Sequence, residues 1–241
     1  MRSRAVEHEN DWVLNGSKTF VSNGINADIV IVAARTHPGN THGLTLFIVE
    51  RGMEGFERGR NPEKRTKLQD TAELFFRDVR IPKTNVLGQV HGGYHHLMEG
   101  LAEKRLIAAA SSVAAARLAL QITEDFVRQR QMFGQQLSKL QNTRFKMAAL
   151  DAEIDIAQVY VDRCVEAQNQ SGLNAVDAAR ARLFTGELHG RVVDECVQLH
   201  GGASYMDEYE ICRLYQDERV HCILAGTSEI MKEIIARSIL D

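Results

Sequence analysis

The spacing of hydrophobic and polar residues changes near residue 86. Before that point, short runs of β-branched and aromatic residues are separated by turn residues; they cover 12–22, 29–34, 44–49 and 72–79. Asn15-Gly16 lies inside the first run and predicts a hairpin turn between two strands. Because no helical segment separates the strands, the pattern disfavours a parallel βαβ sheet and predicts an antiparallel sheet or a small barrel.

Beyond residue 86 the hydrophobic residues recur at helical spacing. The predicted helices cover 93–130, 140–170, 175–200, 208–219 and 228–240. Gly172 and Gly201-Gly202 are helix stop signals, and no proline follows Pro82. Long helices with short connections predict an up-down bundle. The sequence therefore predicts an α+β chain, with an antiparallel β domain over 1–86 followed by an up-down four-helix bundle over 87–241.

Three consecutive charges, Glu103, Lys104 and Arg105, lie near the start of the first, otherwise apolar helix. A helix turns about 100° per residue, so three successive side chains cannot all face water if the helix is central. Lys104 shares its stripe with mostly apolar residues: Leu97, Leu101, Ala108 and Ser111. The pattern thus predicts that Lys104 is the charge turned inward, where ionisable groups are paired or functional.

The composition is that of an ordinary globular protein: 241 residues, 44 % hydrophobic and 25 % charged. A net charge of −3 argues against a general nucleic-acid binder. We expect no membrane span and no signal peptide, because no apolar run approaches the required length and the N-terminus is polar. The four cysteines form no CxxC pair and the nine histidines show no metal spacing, which predicts reduced thiols in an intracellular protein without a metal site.

Two short motifs combine an aromatic residue with a polar one. Phe20 and Ser22 are two residues apart in a predicted strand and therefore face one side. They are candidates for contact with a flat ring, with core packing as the alternative. Arg130 and Phe133 lie at a helix end, where they are candidates for gripping a phosphate and an adenine. The alternative is an arginine that complements the helix dipole.

Two glycine motifs lie in the last third of the chain. Gln198, Gly201 and Gly202 form either a simple helix stop or a place where a ligand approaches the backbone closely. Thr227 and Glu229 follow a glycine at a helix N-terminus, which is the kind of end that binds anions and ring oxygens. Neither a phosphate loop nor a GxSxG elbow is present in the sequence.

Taken in order, these segments resemble the acyl-CoA dehydrogenase family, and most closely its long-chain branch. The resemblance extends over essentially the whole chain; it rests on 15–18, 20–24, 69–74, 130–134, 198–202 and 225–229. It implies that 1–86 is the family's middle β domain, incomplete at its N-terminus, and that 87–241 is the C-terminal bundle. The family's N-terminal helical domain is expected to be missing.

The resemblance also implies FAD as cofactor and α,β-desaturation of an acyl-CoA thioester as the reaction. Phe20 and Ser22 would lie against the flavin, and Thr227 and Glu229 would contact FAD near the active site. Arg105 would line the substrate cleft. The adenine dinucleotide end of FAD, usually that of a neighbouring subunit, would be held by Arg130, Phe133, Gln198, Gly201 and Gly202. Electron-transfer flavoprotein would accept the electrons, and the chain would form a homodimer or homotetramer in the cytoplasm, or in the mitochondrial matrix if eukaryotic.

The sequence departs from the family at the catalytic base. Most members have a glutamate where this chain has Ala225, and the long-chain and isovaleryl branches have one where it has Lys104. The stretch 62–67 is also more basic than the family pattern and one residue short. Three hypotheses stay open: a dehydrogenase in which Glu103 or a lysine serves as base, a partial member that binds flavin or partners without dehydrogenation, and a flavin monooxygenase on the same fold.

Overall fold

The computed structural model describes residues 3–60 and 70–241, which form two compact units, Met1–Glu99 and Gly100–Asp241. The basic stretch 62–67 and Gln69 of the resemblance lie outside the described residues. The predicted domain boundary near residue 86 remains a prediction, since the division into compact units falls later along the chain.

The first unit is built on a seven-stranded sheet with strand order β5-β6-β2-β1-β3-β4-β7. Its strands are β1 (Arg4–His8), β2 (Asp11–Ser22), β3 (Ile29–Arg35), β4 (Leu44–Glu50), β5 (Phe56–Arg58), β6 (Thr71–Pro82) and β7 (Val86–Leu87). Neighbours are antiparallel except β1 and β3, which are parallel at Arg4 and Arg35. Inward-facing apolar residues such as Trp12, Leu14 and Phe47 make its core. The expected β domain is therefore confirmed, with one parallel pairing in it.

The hairpin predicted at Asn15-Gly16 is wrong, because β2 runs through these residues without turning. The turn lies earlier, where His8 of β1 pairs with Asp11 of β2. Asn15 instead binds the neighbouring strand β6: its Nδ2 donates to Asp78 Oδ1 (2.9 Å) and its Oδ1 accepts from the Asp78 amide (3.0 Å). Gly16 occupies a bulge at φ +138°, where a side chain would meet Ser3. Sheet pairing thus overrides the local turn signal.

The second unit contains most of the helical structure. The helices are α1 (Gly93–Gln129), α2 (Gln141–Gln170), α3 (Ala175–His200), α4 (Glu210–Glu218) and α5 (Ser228–Leu240), so the predicted bounds hold to within two residues. Between α1 and α2 lie β8 (Gln131–Met132) and β9 (Gln135–Gln136). Phe133 and Gly134, at φ +51° and +78°, make the turn of this hairpin.

The bundle core takes side chains from four helices, α1 to α4, which confirms the expected helical bundle. Leu106 and Val113 of α1 pack with Ile154 of α2, Leu188 of α3 and Ile211 of α4. By length and composition α1 could cross a membrane, contrary to the expectation that no run is long enough. Half of its most apolar stretch is buried in the protein, however, and core helices meet the same criterion.

Candidate functional site

One cavity in the helical unit lies where three helices begin or end. The C-terminal end of α1, the β8–β9 hairpin, the start of α2 and the end of α3 enclose about 460 Å³. The hairpin folds back on the helix end, since the Leu137 amide donates to Arg130 O at 2.8 Å. Four predicted cofactor residues line this helix-end cavity: Arg130, Gln198, Gly201 and Gly202.

The helix-end cavity is positively charged. Arg130 and Lys146 line it, and within the described residues no carboxylate does. Lys146 forms an ion pair with Glu195 of α3, whereas the Arg130 guanidinium forms none among the residues the structure covers. Since Glu195 offsets the charge of Lys146, Arg130 is the cation of this wall that is free to attract an anionic ligand, and a guanidinium is suited to hold phosphate oxygens.

The two glycines leave room in the cavity for a ligand. Gly201 ends α3 at φ +60°, and its amide donates to the Gln198 and Val197 carbonyls. A side chain built at either Gly201 or Gly202 would meet no atom within 4 Å. The backbone of both glycines is therefore accessible on the side where other residues carry a Cβ atom. A ligand can approach the backbone closely there.

His200 forms part of the cavity wall with Phe126. The two rings are stacked, with centroids 4.2 Å apart and planes at 25°. His200 is 5 % exposed, and its Nδ1 lies 2.8 Å from the Cys196 carbonyl. Burial lowers the pKa of His200, which favours its neutral form.

Phe133 does not line this cavity. It lies at the tip of the hairpin and is 87 % exposed. Such an exposed aromatic side chain is available to a ligand or a second chain. Its predicted contact with FAD nevertheless remains a prediction.

Phe20 and Ser22 are both exposed at the end of β2 in the first unit. The core-packing alternative is wrong for Phe20, which is 77 % exposed. Phe20 also has φ +57°, in a bulge between Lys18 and Val21. This bulge breaks the strict alternation that would put Phe20 and Ser22 on one face. Exposure supports a ligand contact for the Phe20 ring, while the strand-alternation argument for the pair does not hold.

The charged triplet is oriented differently from the prediction. Lys104 and Glu103 are exposed, whereas Arg105 is 6 % exposed. The expectation that Lys104 turns inward is therefore wrong. The buried stripe runs through Arg105, Ala109 and Ser112, one residue further round the helix. Arg105 Nε has no hydrogen-bond partner among the described residues, and burial lowers the Arg105 pKa.

Thr227 and Glu229 line a second cavity, of about 450 Å³, between α3, α4 and α5. Thr227 caps α5, because its hydroxyl accepts from the Ile230 amide. Two hydrogen bonds to the Glu229 carboxylate, one from the Glu229 backbone amide and one from the Thr227 side chain, lower the pKa of Glu229. Glu218 lines the same cavity and is almost fully buried, and burial raises its pKa.

Sequence reasoning missed several polar residues of the helical unit. Lys146, in the cavity wall, sits six residues after the predicted start of α2 and resembles any partly exposed helical lysine. His189 and Arg182 lie seven residues apart on the buried face of α3, and that spacing was the available signal. Among the described residues, no group of three or more His, Cys, Asp or Glu side chains could hold a metal ion.

Comparisons with known proteins cover both units. The family model described as the middle domain of acyl-CoA dehydrogenase matches residues 1–79, and that of the C-terminal domain matches 91–240. The pig mitochondrial long-chain specific acyl-CoA dehydrogenase is 43 % identical over 244 residues, covering 100 % of this chain and 57 % of the pig protein. This chain therefore spans little more than half of that relative.

Two solved structures have the same fold. An acyl-CoA dehydrogenase from Geobacillus kaustophilus superposes with a TM-score of 0.96 at 41 % identity, over 99 % of this chain and 64 % of that one. An acyl-CoA dehydrogenase from Bacillus anthracis, complexed with FAD, gives 0.92 at 29 % identity, over 100 % and 44 %. Matches to both family models and to these relatives establish that the chain belongs to the acyl-CoA dehydrogenase family.

Proposed function

We propose that the protein is an FAD-dependent oxidoreductase of the acyl-CoA dehydrogenase type, which desaturates acyl-CoA thioesters between the α and β carbons. The observation that carries this proposal is the helix-end cavity. Arg130, Gln198, Gly201 and Gly202 come from two distant stretches of chain and line the same space. Those are the residues that the family resemblance assigns to the dinucleotide end of FAD.

The residues of the cavity fit such a ligand. Arg130 and Lys146 supply positive charge for a pyrophosphate, and no carboxylate among the lining residues opposes it within the described chain. Gly201 and Gly202 offer open backbone beside these cations. The FAD complex of the Bacillus anthracis relative supports the same cofactor.

When bound, FAD supplies the hydride acceptor for desaturation. Other roles fall to side chains of this chain. Arg105 is a buried cation with an unpartnered Nε, so it is suited to orient a polar group of the substrate. Glu103 is the carboxylate nearest to the base position of the long-chain branch, but it is exposed. Proton removal from the α-carbon would need Glu103 to reach the thioester.

The second candidate function is binding without dehydrogenation, and a specific observation favours it. Lys104 occupies the base position and is exposed, while the other base position is Ala225. A positive charge in place of a carboxylate cannot act in the same way as a base. In this reading the chain holds flavin or a partner, and the chemistry is absent or much slower.

We further propose an acyl-CoA thioester as ligand and electron-transfer flavoprotein as electron acceptor. The name of the pig long-chain relative supports the substrate class. We also propose self-association into a dimer or tetramer. In its favour, α2 and α3 expose large apolar side chains on their outer surface; these are Phe145, Ile156, Val159 and Phe184.

Flavin binding and flavin reduction test these proposals in turn. The purified protein is dialysed against FAD, and bound flavin is measured by its visible absorbance. Retention of FAD supports both candidates, whereas a colourless protein would overturn the proposed cofactor. The loaded protein is then mixed anaerobically with acyl-CoA thioesters of increasing chain length. Bleaching of the flavin supports dehydrogenation, and unbleached, stably bound FAD supports the binding function.

A further inference from the structure

His200 has a defined hydrogen-bonding state at the wall of the helix-end cavity. A carbonyl oxygen only accepts hydrogen bonds, so the 2.8 Å contact with Cys196 O requires the proton on Nδ1. In a neutral imidazole the other ring nitrogen is then a bare acceptor. Nε2 makes no hydrogen bond within the described residues.

The surroundings of His200 keep the ring neutral. One face of the ring is covered by Phe126, and the residue is almost fully buried. Burial disfavours the charged imidazolium and so lowers the pKa of His200. The charged residues that share the cavity wall, Arg130 and Lys146, are both cations. The bare Nε2 of His200 thus adds an aromatic nitrogen acceptor to a wall in which Asn142, Thr143 and Gln198 carry the other side-chain acceptors, all of them oxygens.

We propose that His200 Nε2 accepts a hydrogen bond from the exocyclic amine of the adenine ring, and so selects adenine over purines that carry an oxygen at that position. This inference rests on the proposed FAD function and adds a specificity residue to it. An acceptor facing an amine gains a hydrogen bond. The same acceptor facing a carbonyl oxygen brings two lone pairs together and leaves both groups unpaired.

The geometry favours a flat base beside this acceptor. The open backbone of Gly201 and Gly202 directly follows His200 in the chain and leaves the space next to it free of side chains. Arg130 and Lys146 on the same wall would hold the adjoining phosphates. A dinucleotide can thus place its phosphates on the cations and its base against His200 within one cavity.

The test compares FAD with flavin hypoxanthine dinucleotide, in which the adenine amine is replaced by oxygen, and with FMN, which has no purine. Dissociation constants are measured by quenching of flavin fluorescence. We expect the unaltered protein to bind FAD at least about tenfold more tightly than the hypoxanthine analogue. Equal binding of the two dinucleotides would overturn the assignment, and this comparison requires no variant.

His200→Phe then identifies the residue responsible. Phenylalanine keeps a ring against Phe126 but removes the acceptor, so the preference for FAD over the hypoxanthine analogue should vanish. His95→Phe, at an exposed position on α1, is the matched control and should retain the preference. Unchanged discrimination in His200→Phe would refute the role of this residue while leaving the proposed function intact. Failure to bind any of the three flavins would instead overturn the proposed function and, with it, this assignment.

Discussion

His189 and His221 pack edge against face inside the helical unit, with ring centroids 5.0 Å apart and planes at 86°. His189 is 2 % exposed, and neither of its ring nitrogens has a hydrogen-bond partner in the described part of the chain. His221 Nδ1 is 3.0 Å from Ser112 Oγ, whose own hydroxyl reaches the Ala108 carbonyl. Burial, reinforced by His221, lowers the pKa of His189 to about 4. The folded state therefore favours the neutral form of His189.

We expect the stability of the protein to fall with acidification between pH 6.5 and 4. The unfolded chain binds a proton at His189 below pH 6.5, whereas the folded chain does so only near pH 4. The unfolded state thus gains protons first, and about 3 kcal/mol is lost across this window. Burial and Arg182 also lower the pKa of His221, which acts in the same direction despite an opposing effect of Asp217. Urea unfolding at a series of pH values measures the slope.

His189→Met should flatten that slope. Methionine has no titrating group and fills a similar volume, and replacing an unpartnered buried polar ring by an apolar side chain costs little at pH 7. His95→Gln, which changes an exposed histidine, should leave the slope as it was. An unaltered slope in His189→Met would show that the acid sensitivity arises elsewhere.

Lys104→Glu should restore acyl-CoA-dependent bleaching if the missing carboxylate is what limits dehydrogenation. A positioned general base contributes about 10²–10⁴-fold to a rate, so we expect at least a hundredfold increase. Stopped-flow absorbance of the FAD-loaded variant measures it. Glu103→Gln, at the neighbouring exposed position, tests the other candidate base: loss of the parental bleaching would assign the role to Glu103, and unchanged bleaching would exclude it. Equal bleaching rates for Lys104→Glu and the parent protein would mean that another part of the site is limiting.

The helix ends could be predicted because their signals are local. Asn174 before α3 and Gly201 after it fix that helix within the sequence itself. The buried face of α1 could not be predicted, since alanines around its midpoint make several faces apolar. The face through Lys104 and the face through Arg105 are therefore almost equally apolar in sequence. They differ by a rotation of one residue, and the structure buries the face with Arg105 and exposes the face with Lys104.

Long-range pairing explains what else the sequence did not show. An Asn-Gly pair forms a hairpin turn only when no other strand pairs with the asparagine. Here Asn15 hydrogen-bonds Asp78, which lies sixty-three residues further along the chain. Contacts between distant parts of the chain also determine the candidate site. Family motifs identified Arg130 and Gly201, but neither motif indicated that Lys146 would share their cavity. Nothing local linked His189 to His221, because the contact depends on how α3 packs against the segment after α4.

Asn174→Ala should destabilise α3. The Asn174 side chain accepts hydrogen bonds from the amides of Val176 (3.0 Å) and Asp177 (2.8 Å), which have no partner within the helix. Alanine removes this cap at a cost of about 1 kcal/mol, whereas glycine at a cap costs only about a few tenths. Urea unfolding of Asn174→Ala beside Asn174→Gly tests this order. A glycine variant as unstable as the alanine variant would contradict a capping role.

Gly202→Ala should separate stability from ligand binding. A methyl group at Gly202 would meet no atom within 4 Å. The backbone of Gly202 is outside the left-handed region of φ, so the fold should accept alanine. The same methyl group occupies the space we assign to the dinucleotide, so FAD affinity should drop about tenfold or more. Thermal unfolding and FAD titration are measured on one preparation. A variant with unchanged melting temperature and unchanged FAD affinity would show that the ligand does not approach this backbone.

Arg130→Met should weaken FAD binding more than any other single charge removal at the cavity. Its guanidinium has no ion-pair partner among the described residues, whereas Lys146 already pairs with Glu195. A charge-assisted hydrogen bond to phosphate contributes about 1.5–3 kcal/mol, which corresponds to roughly a tenfold to hundredfold loss of affinity. Arg144→Met is the matched control, because Arg144 is an exposed cation on α2 that does not line this cavity. Raising the salt concentration should weaken FAD binding to the parent protein and have less effect on Arg130→Met. Equal affinities for the two arginine variants would place the phosphates elsewhere.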